Sequence, residues 1–253
     1  MLVNRVWAHH FGAGLVRTPS NFGARGQAPT HPALLDYLAE RFMDEGWSIK
    51  KLHRWIMLSA VYQQGNRDRA EYRARDPENR WLWRMNRRRL DFEALRDSFL
   101  LAAGRLDLTI GGPSVDLAAP NTNRRTVYGL VDRQGLPGML PTFDFASPDT
   151  HSAERHSTTV PQQALFLMNS PFVAEIAKSF AARQDVASLA NPADRAARMM
   201  GIAWGRPPSE AETQAAVAFL ERDREASPAG DALDAWEAFA QALLLSNEFA
   251  YVD

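Results

Sequence analysis

Along most of this chain apolar side chains recur every three or four residues, the spacing that places them on one face of a helix. Val3, Val6, Trp7 and His10 form the first such stripe, so the chain opens in a helix. Leu34, Leu35, Leu38 and Phe42 form the second, with Asp36, Glu40, Arg41 and Asp44 turned to water. This helix starts at Thr30 or His31 with Pro32 in its first turn, where a missing N–H costs nothing, and Gly46 ends it. Ser48 is placed to cap a third helix with the stripe Ile49, Leu52, Trp55, Ile56, Ser59 and Tyr62. The turn at Gly46-Trp47 makes an αα-hairpin of the second and third helices.

Asp76-Pro77 reads as the start of another helical stretch, and 91–103 as a helix with Phe92, Leu95, Phe99 and Leu100 inward. Between 105 and 160 the pattern breaks. Five glycines (111, 112, 129, 135, 138) and five prolines (113, 120, 137, 141, 148) predict an ordered, irregular segment with one or two short strands, best placed at Thr126–Val131. Loops of that length inside a domain are uncommon and often functional. Helical signals then return. Thr159-Val160-Pro161-Gln162 and Ser209-Glu210-Ala211-Glu212 fit capping boxes, and Ser170-Pro171 and Asn191-Pro192 set a cap before a first-turn proline. Leu233, Trp236, Phe239, Ala240, Leu243 and Leu244 stripe the last helix, with interruptions at 184–192 and 226–231. The expected fold is mainly α: a single domain over 1–253, with helical lobes at 1–104 and 160–253 around the irregular 105–159 segment.

Composition narrows the function classes. Hydrophobic residues at 45% and charged residues at 23% suit an ordinary globular interior. Cysteine is absent, which excludes disulfides, thiolate metal sites, iron–sulfur clusters and covalent c-type haem in these residues. No apolar run is long enough to span a bilayer. The opening lacks the basic, apolar and small-residue regions of a signal peptide. The net charge of −1 hides an asymmetry: residues 1–105 carry 18 Lys+Arg against 11 Asp+Glu, and 106–253 carry 11 against 19. Arg84–Arg89 is the only dense basic run, yet Asp91 and Glu93 stand four residues after Arg87 and Arg89, and Asp97 stands beside Arg96. That spacing predicts a salt-bridged helix face rather than a nucleic-acid patch, and no nucleic-acid partner is expected.

Candidate chemistry concentrates in Phe143–His156. Asp144, Asp149 and Glu154 are the candidate acid–base carboxylates. His151, Arg155 and His156 are candidate binding groups, joined by Arg5, His10 and His31 if those segments meet the loop. The alternative is structural, with Asp and Ser capping turns and Arg155 tying loop carbonyls together. His9 and His10 point about 100° apart on a helix, and no H-E-x-x-H spacing is present, so no metal site is expected.

Together, Val3-Asn4-Arg5-Val6-Trp7, His10-Phe11-Gly12, Gly14–Pro19, Thr30-His31-Pro32, Gly46-Trp47-Ser48, Arg84-Met85, Arg87–Leu90, Thr158–Leu165, Met168-Asn169, Gly205–Pro208 and Ser246–Asp253 resemble the domain of unknown function 1553 family over essentially the whole chain. The resemblance implies planctomycete-type bacteria and a position at the C-terminus of large exported proteins. It implies upstream domains as partners and often a cytochrome-c-like domain, so that any haem c sits upstream. It brings no catalytic residue with it. The start inside a helix, without a signal peptide, is then expected of a piece of a longer periplasmic or cell-envelope protein. The leading functional expectation is an interaction module that contacts its own upstream domains, a glycan or another envelope protein. The alternative is a hydrolase-like or carbohydrate-active enzyme using the 144–156 loop. Redox or metal binding through histidines trails both.

Overall fold

The computed structural model describes residues 1–119, 121–155, 157–225 and 233–252. The chain is mainly helical, and its only sheet among the described residues pairs two strands of two residues each, Arg88–Arg89 and Tyr251–Val252. No helix among these residues is long and apolar enough to cross a membrane. The chain divides into two compact units, 1–88 and 89–252.

In the first unit, α1 (Leu2–Phe11), α2 (Pro32–Asp44) and α3 (Ile49–Met57) pack on one another, and α4 (Ala70–Arg75) follows. Their stripes supply the core of Val3, Val6, Trp7, Phe11, Leu38, Phe42, Leu52 and Ile56, with Leu15 added from the loop after α1. Pro32 occupies the first turn of α2 as its sequence predicts. Ser48 Oγ accepts the Lys51 N–H at 3.3 Å. Gly46 adopts φ +73°, a left-handed turn that glycine makes without steric cost.

The helix expected from Asp76 does not form. The Asp76 carboxylate instead accepts the N–H groups of Arg80 (2.9 Å) and Trp81 (2.8 Å), and its carbonyl accepts Trp83 Nε1–H (3.0 Å). Asn79 and Leu82 take positive φ, so the chain runs through successive turns. A side-chain acceptor capturing nearby N–H groups competes directly with the helical ladder. Nor does Arg84–Arg89 lie on a helix, so the expected i,i+4 pairs with Asp91 and Glu93 have no helix to carry them.

The second unit contains α5 (Phe92–Ala102), α6 (Met139–Thr142), α7 (Pro161–Asn169), α8 (Pro171–Ala181), α9 (Gln184–Ala187), α10 (Pro192–Trp204), α11 (Glu210–Glu225), α12 (Ala235–Leu244) and α13 (Asn247–Ala250). Its core centres on α8 and α12, through Ile176, Phe180, Phe239 and Leu243. On the sequence α5 groups with the N-terminal lobe, but its apolar face is completed here, with Phe99 stacked on Phe249 at 5.3 Å between centroids. Asn191 caps α10 by accepting the Ala193 N–H at 2.9 Å, and Ser209 and Glu212 bond reciprocally as a capping box. Asp234 and Glu237 form a further box on α12. The Thr159 box is absent, because α7 starts at Pro161 with Val160 at its cap and no side-chain acceptor. The interruption at 226–231 lies outside the described residues.

The irregular segment belongs to this unit and is pinned by side chains. No strand forms at Thr126–Val131. Thr126–Tyr128 is a single 3₁₀ turn, and Val115 and Gly129 make an isolated parallel bridge. The reason is local. Asp97 accepts both Thr126 N–H (2.7 Å) and its hydroxyl (2.6 Å), holding the chain in a turn.

Candidate functional site

The candidate loop is tied at its base to the starts of α5 and α7. Gln163, in the first turn of α7, is 1% exposed. Its amide donates to Thr142 O (3.0 Å) and Asp144 Oδ2 (3.3 Å), and its Oε1 accepts from Arg89. Arg89 also donates to Thr158 O at 3.1 Å. Asp144 sits at φ +59°, a left-handed position that Asp tolerates better than most residues. Both its carboxylate oxygens are engaged, one by the Thr158 N–H (2.8 Å) and the other by the Thr158 hydroxyl (2.9 Å). Burial alone raises the Asp144 pKa, but the bonds from Thr158 and Gln163 and the nearby Arg89 charge outweigh it and hold the carboxyl below its ordinary value.

Among the described residues Arg155 ties no loop carbonyl. It makes a two-pronged pair with Glu93, both contacts at 2.7 Å, and lies over the Phe145 ring, 4.7 Å from its centroid. Burial opposes ionisation of Glu93, yet the Arg155 hydrogen bonds prevail and lower its pKa, while the same bonds raise that of Arg155. A general acid at neutral pH needs a raised carboxyl pKa. Asp144 and Glu93 are shifted the other way, which favours their ionised forms at neutral pH.

The remaining candidates do not join this tie. Asp149, His151 and Glu154 are exposed. His156 lies outside the described residues. Arg5, His10 and His31 belong to the first unit. Arg5 is exposed on α1. His31 Nδ1 bonds Thr30 Oγ1 at 2.9 Å, and its ring meets Trp81 edge-on. His10 Nε2 lies 2.7 Å from Nδ1 of His53 on α3. Burial lowers the His10 pKa, and the charges of His53, Arg88 and His9 add to the effect. No group of three or more metal-ligating side chains occurs among the described residues.

Sequence reasoning passed over the buried polar residues that do most of the tying: Asn4, Asp76, Asn79, Arg96 and Gln163. One signal was available. Asn4 stands three before Trp7 and seven before Phe11, on the apolar face of α1.

The profile of the PSD1 family, described as a protein of unknown function (DUF1553), matches residues 1–220. The chain belongs to that family. No curated protein and no solved structure matches it. In this PSD1 family member, residues that carried the resemblance meet as structural ties. Asn4 bonds both N–H and C=O of Val16, and Arg89 reaches Gln163. At the C-terminal end, Arg206 bridges Glu212 (2.8 Å) and Glu248, linking the Gly-Arg-Pro-Pro and Asn-Glu-Phe segments. The bonds from Arg206 and Ser209 push the Glu212 pKa down to about 2.

The lowered acid pKa values set a pH dependence for the loop. A carboxyl depressed in the folded chain stabilises it above its unfolded pKa, and that stabilisation is lost as pH falls through the folded value. Protection of residues 144–158 from hydrogen exchange is therefore expected to be full at pH 7 and to fail below about 4, near the ordinary carboxyl range. Glu93→Gln is expected to loosen the loop already at pH 7, costing roughly 1 kcal/mol for a half-exposed pair. Unchanged exchange in that variant would show that the Glu93–Arg155 pair does not hold the loop.

Proposed function

We propose that this chain is a non-catalytic interaction module of a larger exported, cell-envelope protein, and that its partner is a preceding domain of the same polypeptide. The observation that carries this reading is a braced apolar surface in the second unit. Leu108, Ile110, Val127, Leu130 and Val131 are all exposed, Ile110 at 89%. Arg124 holds their backbone, donating to Thr109 O and Pro113 O (3.2 Å each) and to Gly111 O while stacking on Tyr128. Tyr128 OH accepts the Gly111 N–H at 2.9 Å, and Leu130 N–H donates to Val115 O at 2.8 Å. Apolar side chains presented on a backbone fixed in advance favour association, because little ordering remains to be done on binding.

Hydrolysis through the 144–156 loop is the less favoured reading, since Asp144 and Arg155 are committed to the ties described above. Covalent haem of the c type needs cysteine, so a cytochrome function in the whole protein falls to an upstream domain.

Two measurements test the proposal. The gene upstream of Met1 is expected to continue in frame to a signal peptide and a C-x-x-C-H motif. Hydrogen exchange of 108–131 is expected to be at least tenfold slower in the longer protein than in this chain, and Ile110→Asp is expected to abolish that difference. Equal exchange in the two proteins would sink the proposed interface.

A further inference from the structure

The basic run Arg84–Arg89 is not wholly absorbed by packing. Arg88 donates to His9 O and Arg89 serves the loop tie. The Arg84 side chain makes no hydrogen bond or ion pair among the described residues. It lies over Trp83 at 5.0 Å, with Nε buried and unpartnered. Arg84 lines an open cavity of about 380 Å³ in the first unit, together with Asn66, Asp68, Asn86 and Arg87. That volume falls within the range of small-molecule sites.

The charge around the cavity is positive. Its lining holds two arginines, Arg84 and Arg87, against one acid, Asp68, which Arg73 engages at 2.6 Å. An anion is therefore drawn to this wall, and a guanidinium fork matches a carboxylate or phosphate group. The remaining walls are not purely donors. Asp68 accepts only, and the Asn66 amide both donates and accepts. Such a lining suits a ligand with hydroxyl groups as well as an anionic group.

We propose that this cavity binds a small hydroxylated anion of sugar size, a sugar acid or a sugar phosphate, with Arg84 holding the anionic group and Asn66 and Asp68 meeting the hydroxyls. Amide-resonance titration of the 253-residue chain tests it, with D-glucuronate and D-glucose 6-phosphate as probes and D-glucose and inorganic phosphate as controls. At least one probe is expected to saturate shifts confined to residues near 66–68 and 84–87, and which one does so identifies the anionic group. D-Glucose is expected to be inert and inorganic phosphate at least tenfold weaker. Raising the salt concentration is expected to weaken binding. Arg84→Gln is expected to weaken it tenfold or more. Asn66→Asp, also in the lining, is expected to do so as well by repelling the anion, and it decides the matter if Arg84→Gln does not fold. The proposal fails if neither probe shifts these resonances more than D-glucose, if inorganic phosphate binds equally well, or if the folded variants bind as the parent does.

Discussion

Replacing Arg96 with methionine is expected to destabilise the second unit by about 3 kcal/mol and to lower its melting temperature by roughly 6–12 °C. Arg96 is 2% exposed on the inner face of α5. Its guanidinium donates to Thr122 O (2.5 Å), Arg124 O (3.1 Å) and Thr126 Oγ1 (3.2 Å), and packs over Phe172 at 5.2 Å. Three bonds from one side chain thus anchor the turn at 122–126 to the helical core. Two terms oppose each other. Burial disfavours the charged guanidinium and lowers its pKa, with Asp97 partly offsetting this, so removing the charge recovers several kcal/mol of desolvation. Against that, each charge-assisted bond is worth about 1.5–3 kcal/mol, and the three acceptors lose their partner together. The bonds win. Methionine preserves most of the volume over Phe172, so the loss reports the hydrogen bonds rather than a cavity. Arg96→Lys keeps the charge but has no planar fork, and it is expected to recover less than half of the loss. Calorimetry on the three proteins decides. A methionine variant within about 0.5 kcal/mol of the parent, the range of an inconsequential surface change, would mean that the turn is held without Arg96, by Asp97, Arg105 and the backbone.

That turn also marks where the sequence stops being legible. Helix ends were readable wherever the signal is local: Pro32 and Gly46 bracket α2, Ser48 opens α3, Asn191-Pro192 opens α10, and Ser209 with Glu212 opens α11. Each needs only residues within a turn of one another. Asp76 looked like the start of a helix, but its carboxylate takes the N–H groups of Arg80 and Trp81, a capture that no periodicity encodes. The other misreadings turn on distant partners. The basic run looked paired at i,i+4, yet the partner of Glu93 is Arg155, 62 positions away. The candidate loop was found, because a dense set of charged residues among prolines and glycines is unusual. The ties that occupy Asp144 were not, because they run to Thr158, Gln163 and Arg89, which stand elsewhere in the chain. Composition flags where polar groups gather, whereas their long-range partners decide whether those groups react or brace.

The same reasoning makes Asn4 the second large effect. Asn4 is 2% exposed on α1, and its amide pairs with both backbone groups of Val16: Nδ2 donates to Val16 O at 3.0 Å, and Oδ1 accepts Val16 N–H at 2.8 Å. Asn4→Leu fills the space but leaves both groups buried and unpaired, at about 1–3 kcal/mol each. Allowing for partial relaxation, the expected loss is about 3 kcal/mol, read by chemical denaturation of the chain. The neighbouring glycine sharpens the test. A Cβ on Gly14 would stand 2.6 Å from Asn4 Nδ2 and 2.7 Å from Val16 O. Gly14 is therefore required by the close approach of both the asparagine that braces the loop and the Val16 carbonyl. Gly14→Ala is expected to destabilise the parent strongly, and less so in an Asn4→Ala background, where the amide contact has gone and only the Val16 carbonyl contact remains. Residues in contact couple in this way by about 0.5–3 kcal/mol in a double-mutant cycle. Additive effects would mean that the asparagine and the glycine act independently, and the requirement for glycine at position 14 would then rest on the Val16 carbonyl alone.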